Sequence, residues 1–511
     1  MANEPVSRRD FIKGLGAAGA VASVAAVFSE AQAAAKAPSA YAGWESRQGT
    51  VYFNRKPYEV DSPESYEVVG ELKRRDTRTY DTRARIGRPP REGNALEKYE
   101  AGDPFWTEYY NTVKDDGDGI SPLEKDREIV NEWWPPMDEL IKEGEQARYE
   151  FGTTGAGFLA AARNYPYGRF PFPRPDSAPE EWDWKGVNPQ RANFKSPELA
   201  SEWVKRVGAD YNATLVRITE VNPAWFYANG LRGVDGDVEI GEEYPLRPWW
   251  KYAIVVTYPM EFDSLAADPN YGTSQTGYNP VSYAMWHMGE AIKALGYPAR
   301  VCSPKQGYEQ FVVPFAVDAG MGELGRTCNC VAPDFGGNFR PGIILTDMPL
   351  AIDKPINAGV FDFCSKCKMC AEYCHTAAIS MDDEPNYELA GVRRWDVDGF
   401  KCNTGWQLVS GNADFPDGSP GGGSGACRAC IAACPYFRRT NWLHDTIRKT
   451  VADDPTGLMD DVALQFERGL YHRNPPESFM HPEFKGVHEP PEWLKTENYI
   501  DRFTDTPLGE A

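Results

Sequence analysis

Cys364-Ser365-Lys366-Cys367-Lys368-Met369-Cys370-Ala371-Glu372-Tyr373-Cys374 is the stretch that decides how this chain is read. Further on, Cys427, Cys430 and Cys434 stand as C-x-x-C-x-x-x-C before Pro435, with Cys402 upstream of them. Two such runs make the spacing that holds a pair of [4Fe–4S] clusters, the last cysteine of each run ligating the other run's cluster. The geometry explains it. A tight loop with two intervening residues sets three thiolates on three iron corners of a cubane. The cysteine beyond the three-residue gap turns away and reaches the neighbouring cluster. The spacing therefore predicts one cluster on Cys364, Cys367, Cys370 and Cys434, and a second on Cys402, Cys427, Cys430 and Cys374. Zinc ribbons use paired C-x-x-C units, which three evenly gapped cysteines do not match. Cys402 is the outlying member, because a long stretch ending in the Gly/Ser-rich run 418–425 separates it from Cys427. A chain built this way moves single electrons.

The N-terminus carries the second signal. Ser7-Arg8-Arg9-Asp10-Phe11-Ile12-Lys13 leads into a mildly apolar stretch, Gly14 to Phe28, and then Ala31-Gln32-Ala33. Basic start, short apolar middle and small-residue cleavage site make a signal peptide, and the adjacent arginines mark the twin-arginine type. The apolar stretch is too short for a stable membrane span. This route carries folded proteins, so clusters can be inserted in the reducing cytoplasm before export. Otherwise eleven cysteines would enter a compartment where disulfides form.

At 511 residues the chain has room for two or three domains with full cores. Its 15 Trp and 26 Tyr suit pockets for flat ligands, and a net charge of −21 argues against nucleic acid and anionic lipid. The expected organisation is a signal peptide over 1–33, a loop-rich wrapping region over 34–194, an α/β (α+β) core over 195–355, a two-cluster module over 356–450 and a C-terminal wrapping segment over 451–511. A helix is expected around Asp138 to Phe151. Asp115-Asp116-Gly117-Asp118-Gly119-Ile120 fails the EF-hand pattern because Lys114 occupies the first ligand position, and reads as a solvated acidic turn. In the core, Ser196 caps a helix to about Val207. Ala213 to Ile218, Tyr252 to Tyr258 and Gly342 to Thr346 read as strands, and a helix spans about Pro280 to Leu295. Phe311 to Val317 is either a helix start or an edge segment, because Pro314 interrupts it.

Between the core helix and the first cysteine run stand Asp318-Ala319-Gly320-Met321-Gly322-Glu323-Leu324-Gly325-Arg326 and Pro333-Asp334-Phe335-Gly336-Gly337-Asn338-Phe339-Arg340, then Thr346-Asp347-Met348-Pro349-Leu350. Gly-rich turns beside strands allow a large ligand close to the backbone. Gly320 to Gly325 is not a spaced dinucleotide fingerprint. Cys302, Cys328 and Cys330 lie outside the cluster runs and read as small buried thiols, the last two near enough to GMGELGR to touch such a ligand.

Twin-arginine signal, a tyrosine opening a helix that ends in Leu295-Gly296-Tyr297, GMGELGR, PDFG…R, TDMPL and two ferredoxin-like runs, in that order, resemble the respiratory reductive dehalogenases. The resemblance implies a nitroreductase-like core holding a corrinoid, fused to a ferredoxin-like module with two [4Fe–4S] clusters. It implies replacement of halogen by hydrogen in an organohalide that serves as electron acceptor. Gly320, Gly322, Gly325, Arg326, Gly336 and Gly337 would lie against the corrinoid, which this family usually holds without a histidine beneath cobalt. No D-x-H-x-x-G motif occurs, and mid-helix His287 reads as a packed residue. Tyr278 would donate the proton, assisted by Arg340; Lys305 or Gln306 would line the pocket. A phenol with an ordinary pKa near 10 stays protonated beside a strong reductant. A cation at about 4 Å stabilises its phenolate by about 4 kcal/mol at an effective dielectric near 20, enough to make it a useful acid.

The same resemblance implies partners: a membrane electron donor, a small hydrophobic membrane-anchor subunit and the twin-arginine translocase, with no nucleic acid. The expected place is the outer, periplasmic face of the cytoplasmic membrane. Two rivals remain at this point. Epoxyqueuosine reductase similarly joins a corrinoid to two such clusters, though it acts on transfer RNA in the cytoplasm. An exported ferredoxin-type electron carrier needs no corrinoid.

Overall fold

The strand Tyr252-Ala-Ile-Val-Val-Thr-Tyr258 alternates its burial between two cores, and that alternation organises the protein. The computed structural model describes residues 53–75, 95–112, 121–128, 130–131, 181–228, 243–262, 265, 271–302, 310–374, 376–399, 401–402, 427–438 and 442–470. The signal segment, the acidic turn at 115–120, the helix expected at 138–151, and Lys305 and Gln306 lie outside them. In chain order the elements are β1 (Glu67–Val68), α1 (Ala95–Glu100), α2 (Pro104–Thr112), α3 (Pro122–Glu128), α4 (Pro197–Asp210), β2 (Leu215–Glu220) and β3 (Tyr252–Tyr258). Then come α5 (Tyr271–Ala294), β4 (Ala299–Cys302), α6 (Val312–Asp318), β5 (Glu323–Leu324), β6 (Cys330–Val331) and β7 (Arg340–Thr346). The last group is α7 (Val360–Cys367), α8 (Met369–Glu372), β8 (Tyr387–Leu389), β9 (Val392–Arg394), α9 (Ala429–Ala432), α10 (Trp442–Asp453) and α11 (Leu458–Leu470).

The central sheet has the order β2-β3-β7-β4 and is antiparallel throughout. The core is thus α+β, without the parallel crossovers of a doubly wound α/β fold. Side chains alternate across a strand. Ile254, Val256 and Ile344 meet α4 and α5 on one face, through Val204, Val281, Met285 and Met288. Ala253, Val255, Ile343 and Leu345 meet α6 and a tryptophan-rich layer of Trp225, Trp249 and Trp250 on the other. Each fully buried Val or Ile contributes about 1.5–3 kcal/mol of transfer free energy.

Ser196 caps α4 by accepting from the Leu199 amide. Helix α5 begins at Tyr271, well before Pro280, which lies inside it. Pro314 sits in the first turn of α6, where a missing N–H leaves no bond unmade.

The cysteine-bearing module packs through Val360, Phe363, Met369, Ile431 and Phe437 onto Met260, Phe262 and Leu265 of the core. Residues 53–75 strap the two parts together. Arg55 donates to the Met321 carbonyl and pairs with buried Asp334, while β1 pairs with β9, which with β8 forms a sheet within the module.

Candidate active site

The residues of interest meet where α5, the start of β7 and the N-terminal end of α9 converge. Helix α7 carries Cys364 and Cys367, α8 carries Cys370, and α9 carries Cys430. The buried thiols fall into two electrostatic groups. Cys364 and Cys367 feel Cys434, and Cys370 feels Cys364, Cys367 and Cys434. Cys427 and Cys430 feel Cys402 and Cys374. These are the sets that crossed ligation needs. Cys370 also feels Cys430, so the two groups adjoin. Among the described residues no three His, Cys, Asp or Glu side chains close on a single point as one ion would require.

Burial above all pushes the Cys364 and Cys427 thiols up to about 12. They stay neutral until a cationic centre displaces their protons. The Ala378 amide donates to Cys374 Sγ at 3.2 Å, the kind of contact that steadies a sulfur carrying negative charge. The donor set therefore fits two iron–sulfur clusters.

Tyr278 lies on α5 and Arg340 opens β7, opposite Tyr258 in the sheet register. The structure brings them together: Arg340 Cζ stands 4.6 Å from the Tyr278 ring centroid, over its face. The cation therefore meets the π face of the ring, a contact worth about 2 kcal/mol when desolvated. Gly277 makes room for it, since a Cβ there would fall 2.8 Å from Arg340 Cγ and 3.0 Å from Met260 Cγ. Arg340 Nη2 donates to Ser274 Oγ at 3.3 Å. Ser274 also accepts from Arg428 Nη2 at 2.9 Å. Burial, then the like charge of Arg340, pushes the Arg428 guanidinium down to about 10, against the pull of Tyr278, Cys430 and Cys427. It remains charged at neutral pH.

Arg340 Nε, Asn338 Oδ1 and Asn279 Oδ1 are buried without a hydrogen-bond partner among the described residues. Asn338 Nδ2 meanwhile donates to the Met260 carbonyl, which puts that residue beside Gly277 and Arg340. Buried polar atoms left unpaired by the chain call for an occupant. A corrinoid, ringed by peripheral amides, fits that requirement.

The glycine-rich segments divide. A Cβ on Gly320, whose φ is +72°, would strike the Lys354 carbonyl at 2.1 Å, and one on Gly336 would meet the Tyr436–Phe437 backbone at 2.9 Å. Gly322 abuts the Val331 backbone, and Gly325 abuts the Val331 side chain with Cys364 Sγ beyond it. These four bring the chain close to itself. Gly337 alone of the five glycines meets nothing nearer than the Ile431 side chain at 3.6 Å. Arg326 is also engaged internally: its guanidinium donates to the carbonyls of Cys364, Ser365, Ser380 and Asp382 and covers Trp395. It clamps the module onto the core. Next to it Glu323 accepts from the amides of Ala358, Val360 and Phe361, capping the helix that carries Cys364 and Cys367. Burial raises Glu323 to about 7 despite those bonds.

His287 stacks on Tyr211 at 4.1 Å, packed among Tyr283 and Trp286. Cys328 Sγ accepts from Arg394 Nη1 at 2.9 Å, and Cys302 and Cys330 are buried.

Known proteins resemble this chain. A family model of the 4Fe-4S dicluster domain covers residues 363–438, and one of the twin-arginine translocation signal covers 5–25. A tetrachloroethene reductive dehalogenase of Desulfitobacterium hafniense (strain Y51) is 26% identical over 399 residues, 67% of this chain and 69% of that protein. The chain is a relative of the reductive dehalogenases. A solved reductive dehalogenase structure, described as suggesting a mechanism for B12-dependent dehalogenation, aligns with TM-score 0.51 at 18% identity over 88% of this chain. That likeness concerns the fold, and this chain spans about half of that one, 53%. An epoxyqueuosine reductase of Bacillus cereus is 36% identical over only 61 residues, 12% of this chain and 15% of that protein. The dehalogenase relationship therefore extends over far more of the molecule. The N-terminal signal supports export by the twin-arginine route.

Proposed function

We propose that this chain is the catalytic subunit of a reductive dehalogenase, an oxidoreductase that converts a carbon–halogen bond to carbon–hydrogen: R–X + 2e⁻ + H⁺ → R–H + X⁻. The observation that carries this reading is the meeting of Tyr278 and Arg340 beside the cysteine-bearing helix α9, through Ser274. When bound, two [4Fe–4S] clusters supply single electrons and a corrinoid supplies the chemistry that reduces the carbon–halogen bond.

The chain supplies the rest. Cys364, Cys367, Cys370 and Cys434 would hold one cluster, and Cys374, Cys402, Cys427 and Cys430 the other. Gly337, Asn338 and Asn279 would meet the corrinoid. Gly320, Gly322, Gly325, Gly336 and Arg326 would hold the surrounding backbone together through their contacts within the chain. Tyr278 delivers the proton from its hydroxyl, and the Arg340 guanidinium over its ring steadies the phenolate left behind. Tyr278 and Arg340 are half-buried, which strengthens that attraction relative to open water.

Export by the twin-arginine route would set the folded enzyme on the outer face of the cytoplasmic membrane. No helix among the described residues is long and apolar enough to cross a membrane. In this reading a small hydrophobic anchor subunit holds the enzyme there, near a membrane electron donor. The test is reconstitution with iron, sulfide and a corrinoid, followed by halide release from a panel of organohalides with reduced viologen as donor. One corrinoid per chain and free halide are expected. Eight irons per chain with neither corrinoid uptake nor halide would leave an exported electron carrier instead.

A further inference from the structure

Arg428 is given no chemical role in the reading above, yet the fold sets it between the two halves of the machinery. It lies between Cys427 and Cys430 in sequence, at the residue that precedes α9. Its side chain is only 9% exposed. Nη1 returns to the Cys427 carbonyl at 2.8 Å. Nη2 crosses to Ser274 Oγ on α5 at 2.9 Å, and the same oxygen accepts from Arg340 Nη2 at 3.3 Å. Ser274 is itself fully buried. One hydroxyl thus links a cation within the second cysteine group to the cation that covers the Tyr278 ring.

A buried positive charge beside thiolate-ligated iron favours the form carrying one more electron. Net charge near the cluster is a recognised lever on such potentials. The Ser274 bridge also fixes where Arg340 can stand, because two like-charged guanidinium groups would otherwise separate. We propose that Arg428 is a positioning residue for dehalogenation. Its fixed charge promotes one-electron reduction of the cluster on Cys374, Cys402, Cys427 and Cys430, and its bond to Ser274 holds Arg340 over Tyr278. The second half rests on the dehalogenase reading; the first needs only the clusters.

The experiment uses the full chain, reconstituted to eight irons, with Ti(III) citrate as one-electron reductant and electron paramagnetic resonance as the readout of both clusters. In Arg428→Gln, reduction of one cluster should become at least tenfold less favourable, about 59 mV for one electron, while the other keeps its potential. Arg428→Lys should restore that potential but not turnover, because a lysine cannot reproduce the forked contact with Ser274 and the Cys427 carbonyl. Unchanged potentials in a fully loaded Arg428→Gln protein overturn the electron half. Should that variant fail to take up iron, Ser274→Ala tests the remaining link with the charge intact. It should lower kcat at least tenfold with KM within about twofold, and unaltered turnover overturns the positioning half. A shifted potential in a chain that releases no halide would retire the dehalogenase reading and leave the electron half standing.

Discussion

At Gly277 a single hydrogen in place of a methyl decides how closely Arg340 approaches Tyr278. Gly277→Ala would push on Arg340 Cγ and Met260 Cγ together, and neither is the free end of a side chain. Displacement of a catalytic contact by about 1 Å can cost about a hundredfold in rate. We expect Gly277→Ala to retain both clusters and lose at least tenfold in kcat, measured by halide release. Tyr278→Phe removes the donor itself and should lose about a hundredfold or more. A Tyr278→Phe enzyme at full activity would assign the proton to another group. Arg340→Lys should fall between the two, since an ammonium keeps the charge but not the planar stack on the ring.

At the level of elements, Glu323 couples the glycine-rich turn to the helix that bears Cys364 and Cys367. Burial raises its pKa from the ordinary 4.5 to about 7, so the folded chain binds this proton more tightly than the unfolded chain does. Stability from this group is therefore greatest below pH 4.5 and declines as pH rises toward 7. The decline is at most about 3 kcal/mol, at about 1.4 kcal/mol per pKa unit. Glu323→Gln should remove that slope. The difference in thermal midpoint between wild type and variant, followed from pH 4.5 to 7.5, measures it, and a constant difference would show that Glu323 stays ionised throughout.

Elements of this kind were unevenly legible. Tyr252 to Tyr258 declares itself as a buried strand through its β-branched residues, and Ser196 as a cap through the proline and glutamate after it. The start of α5 does not. Pro280 imitates a first-turn proline, and the residues before it, Thr273, Ser274 and Gln275, are polar. They are nevertheless buried, Ser274 because it meets Arg340 and Arg428, and no apolar periodicity reports that. Cysteine spacing announces the cluster ligands, and motif order points to Tyr278 and Arg340. Ser274, Gly277 and Arg428 carry no local signal, since only tertiary packing brings α5, β7 and α9 together. The glycines of GMGELGR were readable as close-approach positions, but whether ligand or backbone approaches them depends on Lys354 and Val331, distant or unremarkable in sequence.

Across the whole molecule, burial raises six of the eight cluster thiols, those of Cys364, Cys367, Cys370, Cys427, Cys430 and Cys434, so loss of iron leaves neutral thiols where ligands stood. Chelation should lower the thermal midpoint by several degrees and release the module first. Hydrogen exchange should show protection lost over 360–374 and 427–438 before the β2-β3-β7-β4 sheet. Equal loss in both would mean that the clusters stabilise the core as much as their own loops. The strap over 53–75 binds both halves, and its most distant tie is the hydrogen bond from the Tyr58 hydroxyl to Asp453, 395 positions apart. An early-synthesised segment of the mature chain thus waits for its partner until most of the polypeptide has left the ribosome. Threading the chain outward as it is made would separate the two ends of that seam by a lipid barrier. A secretion system that accepts completed cargo spares the seam that separation and lets the stitching close where the iron is supplied.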